Sequence, residues 1–469
     1  MSTTTSLQQL DAALDICGEM SGMFGLYTQI SMFYALPHDF KLDVVAHVTA
    51  TINAGLARLA AEFPYTAGQV IQLEALDSAR RRYRMRPLHQ AAQMDVKDLR
   101  QVADQAGSSA NITLAQLRAA EYPLSMLGEE WLAPCATISP ELPRKPILLL
   151  RVCVLQDGVV VTVNGEHQAM DMVGQGAVMA SLNKACRREA FDRNETSIGN
   201  TDRTHSIPLL GEGINVGSRI QRQMVAEQTA LSEPESTAHA PQPTCQWAYF
   251  DVSAASMKAL KSRASLDIES GFVSTDDCLS ALLWQSVLRA RSVRLPDGQK
   301  STLGRAVDAR RYVGVDKSYP GFVQNMVYAG IAVKDLVQAP VGHIAALLRS
   351  KIDPAASSVG LATQELLTAL YRADADGRSK LGFVVGLALD VDLMVSSWAA
   401  VNCYALDFGL GFGQPEKVRR PRLVDCESLA YFMPHDKEGN GAVAICLRTE
   451  DMSELRRDNT WCTYARYIG

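Results

Sequence analysis

The pattern of apolar and polar positions predicts helices in both halves of the chain. From Asp43 to Glu62, apolar residues recur at three- and four-residue spacing, which places them on one face of an amphipathic helix. Ser274 to Arg291 begins with Ser-Thr-Asp-Asp, which is typical of a helix N-cap, and continues as a second helix. We also predict a helix from Met172 to Arg187 and a short helical region from Leu114 to Leu127.

Runs of β-branched and apolar residues predict strands between these helices. Pro146 to Leu155 and Val159 to Asn164 flank an Asp157-Gly158 pair, and because such a pair accommodates the positive φ angles of a tight turn, we predict a β-hairpin. Strands without strict βαβ alternation favour an α+β fold with mixed sheets over a doubly wound parallel sheet. Further strand candidates are Ser301 to Val307, Asn325 to Val333, Ser397 to Tyr404 and Gly441 to Leu447.

A stretch rich in Gly, Pro, Ser and Glu separates the two halves. It runs from about Asn200 to Pro243, and its composition predicts a surface connection, with at most one exposed helix from about Gly217 to Leu231. A chain of 469 residues is long enough for two cores. We therefore expect an N-terminal domain over residues 1–205, a crossover over residues 206–244 and a C-terminal domain over residues 245–469.

Composition and charge narrow the possible partners and compartments. The net charge of −5 and the pI near 6.0 indicate no basic surface for nucleic acid or an anionic membrane. The N-terminus lacks the features of a secretory signal, and no run of 18 or more apolar residues predicts a membrane span. The ten cysteines form no C-x-x-C pair, which favours free thiols in the cytoplasm over disulfides or a metal site.

The first candidate for chemistry is His167, in the sequence His-Gln-Ala-Met-Asp171. Histidine can accept and return a proton near neutral pH, as the attack of a hydroxyl on a carbonyl requires. An H-x-x-x-D match alone is a weak signal. Its predicted place between a strand and a helix favours a catalytic role, because the glycines around it allow the close backbone approach that a substrate channel needs.

Two further motifs are weaker on their own. Asp407-Phe-Gly-Leu-Gly411 follows a predicted strand from Val401 to Leu406, and an ordinary turn stabilised by the Asp407 carboxylate explains it best. In Val307-Asp-Ala-Arg-Arg311, an arginine beside a strand end can pair with a carboxylate or a phosphate, although surface arginines usually do neither.

Taken together, these motifs resemble the BAHD acyltransferase superfamily. The resemblance rests on the order HQAMD, VDARR, Tyr-Pro-Gly with Asn325, and DFGLG, with about 240 residues between His167 and Asp407. Neighbouring stretches such as FPYTAG, HQAMDMVGQG and VRRP resemble the fungal branch of trichothecene 3-O-acetyltransferases. The resemblance covers nearly the whole chain, apart from the connection and about the last 20 residues.

The resemblance implies a fold and a reaction. It implies two similar chloramphenicol acetyltransferase-like α+β domains with mixed sheets, and an active-site channel between them in which His167 is the general base. An acyl-CoA, by analogy acetyl-CoA, would be the co-substrate and a small-molecule alcohol the acceptor. Transfer would be direct, without a covalent acyl-enzyme or a metal, and the family implies a monomer.

The resemblance also implies roles for single residues. Asp171 is expected to pair with Arg310 and to support the loop, and Asp407, Gly409 and Gly411 to shape the coenzyme A end of the channel. Contacts to the thioester are expected from Ser396, Ser397 and Asn325. The two serines and a backbone N–H are unranked candidates for stabilising the oxyanion. The sequence departs from the common family pattern at Leu410, where plant relatives usually have Trp, and at Met172, where Gly is common.

Three alternatives stay open. A condensation-type domain of peptide synthesis shares the fold and the H-x-x-x-D motif, but it typically carries a second histidine where this chain has Glu166, and it uses carrier-protein thioesters. A relative that binds a metabolite without turnover is the non-enzymatic alternative, and N-acylation is the alternative chemistry on the same scaffold.

Overall fold

The computed structural model of the protein describes residues 10–77, 80–88, 93–101, 112–224, 243–296 and 298–469. Within these ranges the strands are β1 Ala12–Ala13, β2 Tyr27–Ala35, β3 Gly68–Gln72, β4 Tyr83–Pro87, β5 Met94–Asp98, β6 Lys145–Pro146, β7 Leu148–Val154, β8 Gly158–Glu166, β9 Cys245–Val252, β10 Lys300–Asp308, β11 Gln324–Ala332, β12 Leu393–Ser397, β13 Lys417–Arg419, β14 Leu429–Phe432, β15 Gly441–Arg448 and β16 Arg466–Tyr467.

The α-helices of the same ranges are α1 Val44–Glu62, α2 Leu114–Ala119, α3 Glu129–Leu132, α4 Met172–Cys186, α5 Arg193–Gly199, α6 Ala254–Ser265, α7 Thr275–Arg291, α8 Arg310–Val313, α9 Val333–Gln338, α10 Val341–Ser350, α11 Val359–Arg372, α12 Ala375–Ser379, α13 Thr449–Leu455 and α14 Asn459–Tyr464. The long predicted helices are confirmed as α1, α4 and α7. Asp43, Asp171 and Ser274 are their N-caps, and each side chain accepts a hydrogen bond from a backbone N–H of the first turn.

Each half of the chain builds a mixed sheet. A five-stranded sheet in the order β13-β2-β8-β7-β5 takes all its strands but β13 from the first half, and a small sheet in the order β1-β4-β3-β6 lies entirely in that half. The second half contains a seven-stranded sheet in the order β11-β10-β12-β14-β15-β9-β16. In the latter, β12 runs parallel to β10 and β14, whereas the other pairs are antiparallel. The predicted α+β architecture with mixed sheets is confirmed.

The β7–β8 hairpin is confirmed, but the physical reason for its Asp-Gly pair was wrong. Neither Asp157 nor Gly158 adopts a positive φ. A glycine is needed because a Cβ at position 158 would lie 2.8 Å from the Tyr34 carbonyl oxygen. The Asp157 carboxylate instead accepts hydrogen bonds from the N–H groups of Leu114 (2.7 Å) and Ala115 (2.8 Å), so it caps α2.

The strands predicted from Ser397 to Tyr404 and from Val401 to Leu406 are wrong. β12 ends at Ser397, and Trp398 N–H makes the last hydrogen bond to the sheet, at 2.8 Å from the Phe432 carbonyl oxygen. Val401 N–H then bonds back to the Trp398 carbonyl in a turn, and Cys403–Ala405 forms a 3-10 turn. The chain leaves the second sheet here and crosses to the first half.

This crossing joins the two halves more closely than the predicted domain division suggests. β13 pairs antiparallel with β2, with Val418 opposite Met32, so a strand from residues 245–469 completes the first sheet. Phe408 and Leu410 are buried in the core of the first half. The predicted boundaries of the domains stay a prediction, but one segment of the later region packs with the earlier one.

The described part of the connection is packed. Ile207 and Ile220 are 5% and 1% exposed and lie in an apolar cluster with Phe322 and Leu366. Over 217–224 the structure has a 3-10 turn at Gln221–Gln223 in place of the predicted helix, and residues 225–242 lie outside the described residues. The composition predicted a surface connection, but a few apolar residues are enough to anchor a mostly polar segment against the core.

By length and composition alone, α1 would suit a membrane span, so the predicted absence of such a segment does not hold for this helix. Its apolar face is buried in the first half, where Val48, Ile52 and Leu59 are at most 1% exposed. It approaches α4 closely, since a Cβ at Gly55 would come within 2.2 Å of Cys186 Sγ. The packing therefore makes α1 a core helix in this structure.

Candidate active site

His167 is the first residue after β8, as predicted, and begins the loop that leads into α4. Its backbone N–H donates to the Leu26 carbonyl at 2.8 Å, which ties the loop to the N-terminal segment. From Gly158 to Met172 every residue is buried except His167, which is partly exposed. His167 is thus the one residue of this stretch that solvent reaches in part.

The surroundings of the His167 ring favour its neutral form. Nδ1 is buried without a well-oriented hydrogen bond, and Nε2 forms no hydrogen bond to a described residue. Phe322, from the second half, packs its ring against the imidazole with centroids 4.8 Å apart. Burial lowers the pKa of His167 below its ordinary 6.5, and the nearby backbone of His167 and Met170 and the Asp171 carboxylate oppose this only in part. At neutral pH the ring is able to accept a proton.

Asp171 does not face the imidazole as a catalytic dyad would. Its carboxylate caps α4 by accepting from Gly174 N–H at 2.8 Å. It also accepts two parallel hydrogen bonds from Arg310, both at 2.9 Å, and one from Val323 N–H at 2.8 Å. The Asp171 and Arg310 side chains are 3% and 1% exposed. Asp171 thereby links the loop of His167, the start of α4 and the second half.

Arg310 extends this link to the loop before Phe322. Its guanidinium donates to the carbonyl oxygens of Tyr319 (3.0 Å) and Gly321 (2.7 Å). The same loop packs on α4, where a Cβ at Gly174 would lie 2.4 Å from the Pro320 carbonyl oxygen. The contacts of Arg310 therefore hold the backbone that places Phe322 beside His167.

Glu166 is a buried carboxyl directly before the histidine. It accepts hydrogen bonds from Gly25 N–H and Ala169 N–H, both at 3.2 Å. Burial raises its pKa to about 8, against the opposing effect of these backbone donors and of the Lys145 charge. Sequence reasoning treated Glu166 only as a replacement for a second histidine and missed its contacts. It missed Phe322 entirely, for which the adjacent Gly321 was the available signal.

The DFGLG loop lies at the other end of α4. Phe408 N–H donates to Asn183 Oδ1 at 2.7 Å, and Asp407 pairs with Arg187 at 2.5 Å. A 15-residue helix is about 22 Å long. Asp407 and His167 therefore lie roughly that far apart along α4. Gly409 and Gly411 have φ angles of 62° and 78°, which favour glycine.

The other predicted contacts form no hydrogen bond with His167 in the described part of the structure. Ser396 Oγ accepts from Trp398 Nε1 at 3.2 Å, and Ser397 is exposed at the end of β12. Asn325 is buried, and its amide donates to Thr363 Oγ1 at 3.0 Å and accepts from Gln223 Nε2 at 2.7 Å. The Asn325 amide thus anchors the connection between the halves, and its predicted contact to the thioester stays a prediction, as do those of the serines.

A cavity of about 440 Å³ lies beside β13 and the start of α6. Lys417 and Arg419 line it together with Ser253. Asp251 neutralises part of this charge, since it accepts from Arg419 at 2.8 Å. The cavity is large enough for an extended group, and its lining includes three cations, Lys417, Arg419 and Arg466, and a second carboxylate, Asp436.

The predicted thiols are confirmed. All ten cysteines are free, and Cys153 and Cys446 are among those that are buried. Among the described residues, no three His, Cys, Asp or Glu side chains form a group able to bind a metal ion.

Comparisons with protein families match most of the chain. The model described as the Transferase family matches residues 107–460. The model described as the trichothecene 3-O-acetyltransferase-like N-terminal domain matches residues 26–186.

Individual relatives match over their full length. The chain is 38% identical to the trichothecene 3-O-acetyltransferase TRI101 of Fusarium sporotrichioides, over 100% of this chain and 99% of that one. It is 36% identical to the O-acetyltransferase dmxR13 of Cryptosporiopsis sp. over 98% of both chains. The crystal structure of Fusarium graminearum TRI101 with coenzyme A and T-2 mycotoxin is 35% identical and has a TM-score of 0.88, covering 98% of this chain and 100% of that one.

Proposed function

Because the chain belongs to the Transferase family of acyltransferases, the BAHD superfamily, we propose that it transfers an acetyl group from acetyl-CoA to a hydroxyl of a fungal secondary metabolite. His167 is the general base. The observation that carries this proposal is the partly exposed His167 in an otherwise buried stretch, with its ring against Phe322 at the contact between the two halves of the chain.

The transfer is direct. His167 Nε2 takes the proton of the acceptor hydroxyl while the oxygen attacks the thioester carbonyl carbon, and the carbonyl π electrons move to oxygen. The tetrahedral intermediate then collapses, the carbon–sulfur bond breaks, and the imidazolium returns the proton to the thiolate. A thiol with a pKa near 8.5 leaves far more readily than an alkoxide. Both substrates must be bound together, and no acyl-enzyme forms.

The cavity beside β13 supports a place for coenzyme A. Lys417 and Arg419 offer charges that suit its phosphates. Lys417→Ala should raise the KM for acetyl-CoA and leave kcat nearly unchanged, because this contact is equal in the ground state and the transition state. An unchanged KM would show that coenzyme A binds at another surface.

The acceptor is a hydroxylated small molecule. A mass-spectrometric screen of acetyl-, malonyl- and longer acyl-CoA donors against hydroxylated fungal metabolites, trichothecenes included, identifies both substrates from the mass added to the product. The predicted monomer and cytoplasmic location stay predictions.

The decisive test replaces the base. His167→Ala should lower kcat by about 10²–10⁴-fold or more, because general-base catalysis by one side chain contributes that range. His38 is exposed, so His38→Ala is the matched control and should retain full activity. In the wild-type enzyme, kcat/KM should decrease at low pH as His167 becomes protonated. The midpoint of this decrease, the acid limb of the profile, should lie below pH 6.5, because burial lowers the pKa of His167. Turnover by His167→Ala at the wild-type rate would falsify the proposal.

The condensation-type alternative predicts a different donor. Glu166 occupies the position of the second histidine and is engaged with backbone N–H groups, which favours free acyl-CoA. Rates measured with acetyl-CoA and with an acetylated carrier protein separate the two. Binding of both substrates without any product would instead support the non-enzymatic alternative.

A further inference from the structure

The N-terminal segment from Asp15 to Leu26 is built into the candidate active site. His167 N–H bonds to Leu26, and the Gln168 side chain donates to the Gly18 carbonyl at 2.6 Å. Two 3-10 turns, Ile16–Glu19 and Ser21–Met23, give this segment its shape. It therefore follows the loop of the general base closely, although no sequence motif marks it.

Asp15 begins this segment and is completely buried. Its Oδ2 accepts from Phe322 N–H at 3.0 Å. Its Oδ1 accepts from Tyr319 Oη and from Ser206 Oγ, both at 2.6 Å. The carboxylate thus joins the N-terminal segment, the connection between the halves and the Tyr319–Phe322 loop.

Asp15 and Asp171 bind consecutive backbone groups of this loop. Asp15 accepts from Phe322 N–H and Asp171 accepts from Val323 N–H at 2.8 Å. The fit around Asp15 is close, because a Cβ at Gly321 would lie 2.2 Å from Asp15 Oδ2. The two carboxylates fix the backbone on which the Phe322 ring stands, 4.8 Å from the His167 ring.

We propose that Asp15 is a positioning residue, which sets the orientation and the solvent exposure of the His167 imidazole through Phe322. The inference rests on the proposed function, in which that imidazole is the base. Without the Asp15 carboxylate, Phe322 is free to shift, and water reaches the ring that Phe322 now covers. A more hydrated imidazole holds its proton more strongly, so more of the base is protonated at a given pH.

Other charged or titratable groups surround this arrangement, and Asp15→Asn also leaves the buried Arg203 without a carboxylate partner among the described residues. The Arg203 Nη1 atom lies 3.6 Å from Asp15 Oδ2. The others are the Asp171–Arg310 pair, Cys17, Glu166 and Tyr319.

The test is Asp15→Asn, which keeps the size of the side chain but replaces one carboxylate oxygen by an NH₂ group. That group donates hydrogen bonds where the oxygen accepted them. We expect kcat to fall at least about tenfold, the size of effect that a small misplacement of a reacting group produces. The KM for acetyl-CoA should change little, and the acid limb of kcat/KM should move up toward pH 6.5. Phe322→Leu should give the same shift, and the double variant should shift no further, since both changes act through one contact.

Asp11→Asn is the matched control. Asp11 lies four residues earlier, is 43% exposed and, within the described ranges, pairs only with arginines of β4, so its replacement should leave the pH profile unchanged. If Asp15→Asn does not fold, Tyr319→Phe removes one neutral donor to Asp15 and should give a smaller shift in the same direction.

A folded Asp15→Asn enzyme with the wild-type acid limb, or additive shifts in the double variant, would overturn the role of Asp15. An unshifted Tyr319→Phe profile would do the same where Asp15→Asn is insoluble. Failure of the proposed function looks different: His167→Ala would then remain active, whatever the Asp15 variants do.

Discussion

The two motif loops stand at opposite ends of α4, and each has an aspartate paired with an arginine. At the N-terminal end, Asp171 and Arg310 are 3% and 1% exposed. At the C-terminal end, Asp407 and Arg187 are 27% and 41% exposed. Both ends have the same Asp–Arg pair, but one pair is buried and the other is partly exposed to solvent. The two pairs should therefore contribute differently to the stability of the fold.

Burial decides what each pair contributes. An exposed ion pair contributes about 0–1 kcal/mol, because water solvates both charges well when they are apart. A buried pair depends on both partners, since removal of one leaves an unpaired charge in a medium of low dielectric constant. Asp171 also satisfies the backbone N–H groups of Gly174 and Val323, whereas Asp407 bonds the N–H of Gly409 within its own loop. The loop of Asp171 therefore connects separate parts of the fold. The hydrogen bond of Asp407 to Gly409 stabilises the conformation of the DFGLG loop itself.

The largest expected difference between the loops is in stability. Asp171→Ala should lower the free energy of unfolding by about 3–5 kcal/mol, because the buried Arg310 loses its two hydrogen bonds to Asp171 and, among the described residues, keeps a counter-charge only at the more exposed Asp308. Asp407→Ala should lower it by about 1 kcal/mol or less. Urea unfolding of both variants measures the contrast. Equal losses would mean that burial does not distinguish the two pairs.

A second difference is the pH dependence of stability at the buried end. The pKa of Glu166 is raised from 4.5 to about 8, so between these values the folded chain holds a proton that the unfolded chain has lost. The stability that Glu166 contributes is complete below pH 4.5 and is lost as pH rises to about 8, with a slope of at most about 1.4 kcal/mol per pH unit. Glu166→Gln should remove this slope in urea unfolding across that range; an identical slope in both proteins contradicts the prediction.

A further expected effect concerns the backbone at the exposed end. Gly409→Ala should cost about 1–2 kcal/mol, because the φ of 62° disfavours any residue with a Cβ. The new Cβ would meet nothing closer than 3.4 Å, so steric contact adds little. Gly211→Ala, in open space without a positive φ, is the control and should be nearly neutral. The acid limb of the activity profile should not move in either variant, since the DFGLG loop lies a helix length from His167.

Local patterns predicted the elements around the site well. The helical spacing and cap residues predicted α1, α4 and α7 to within one residue at either end, because caps and apolar periodicity act within a few residues. The position of His167 between β8 and α4 followed from the same kind of signal. The strand predicted after Ser397 failed because apolar residues suit a strand and a buried turn equally well.

By itself, the sequence determined the long helices α1, α4 and α7, the β7–β8 hairpin, the histidine at a strand-to-helix junction and the family to which the chain is similar. These depend on neighbouring residues and on motifs that keep their order along the chain. Only the tertiary structure decided that β13 completes the first sheet, that Phe322 covers the His167 ring, and that Asp15 holds Phe322 from more than 300 positions away. Such contacts form between surfaces that meet only after folding, and the energy of a buried carboxylate depends on what those surfaces enclose.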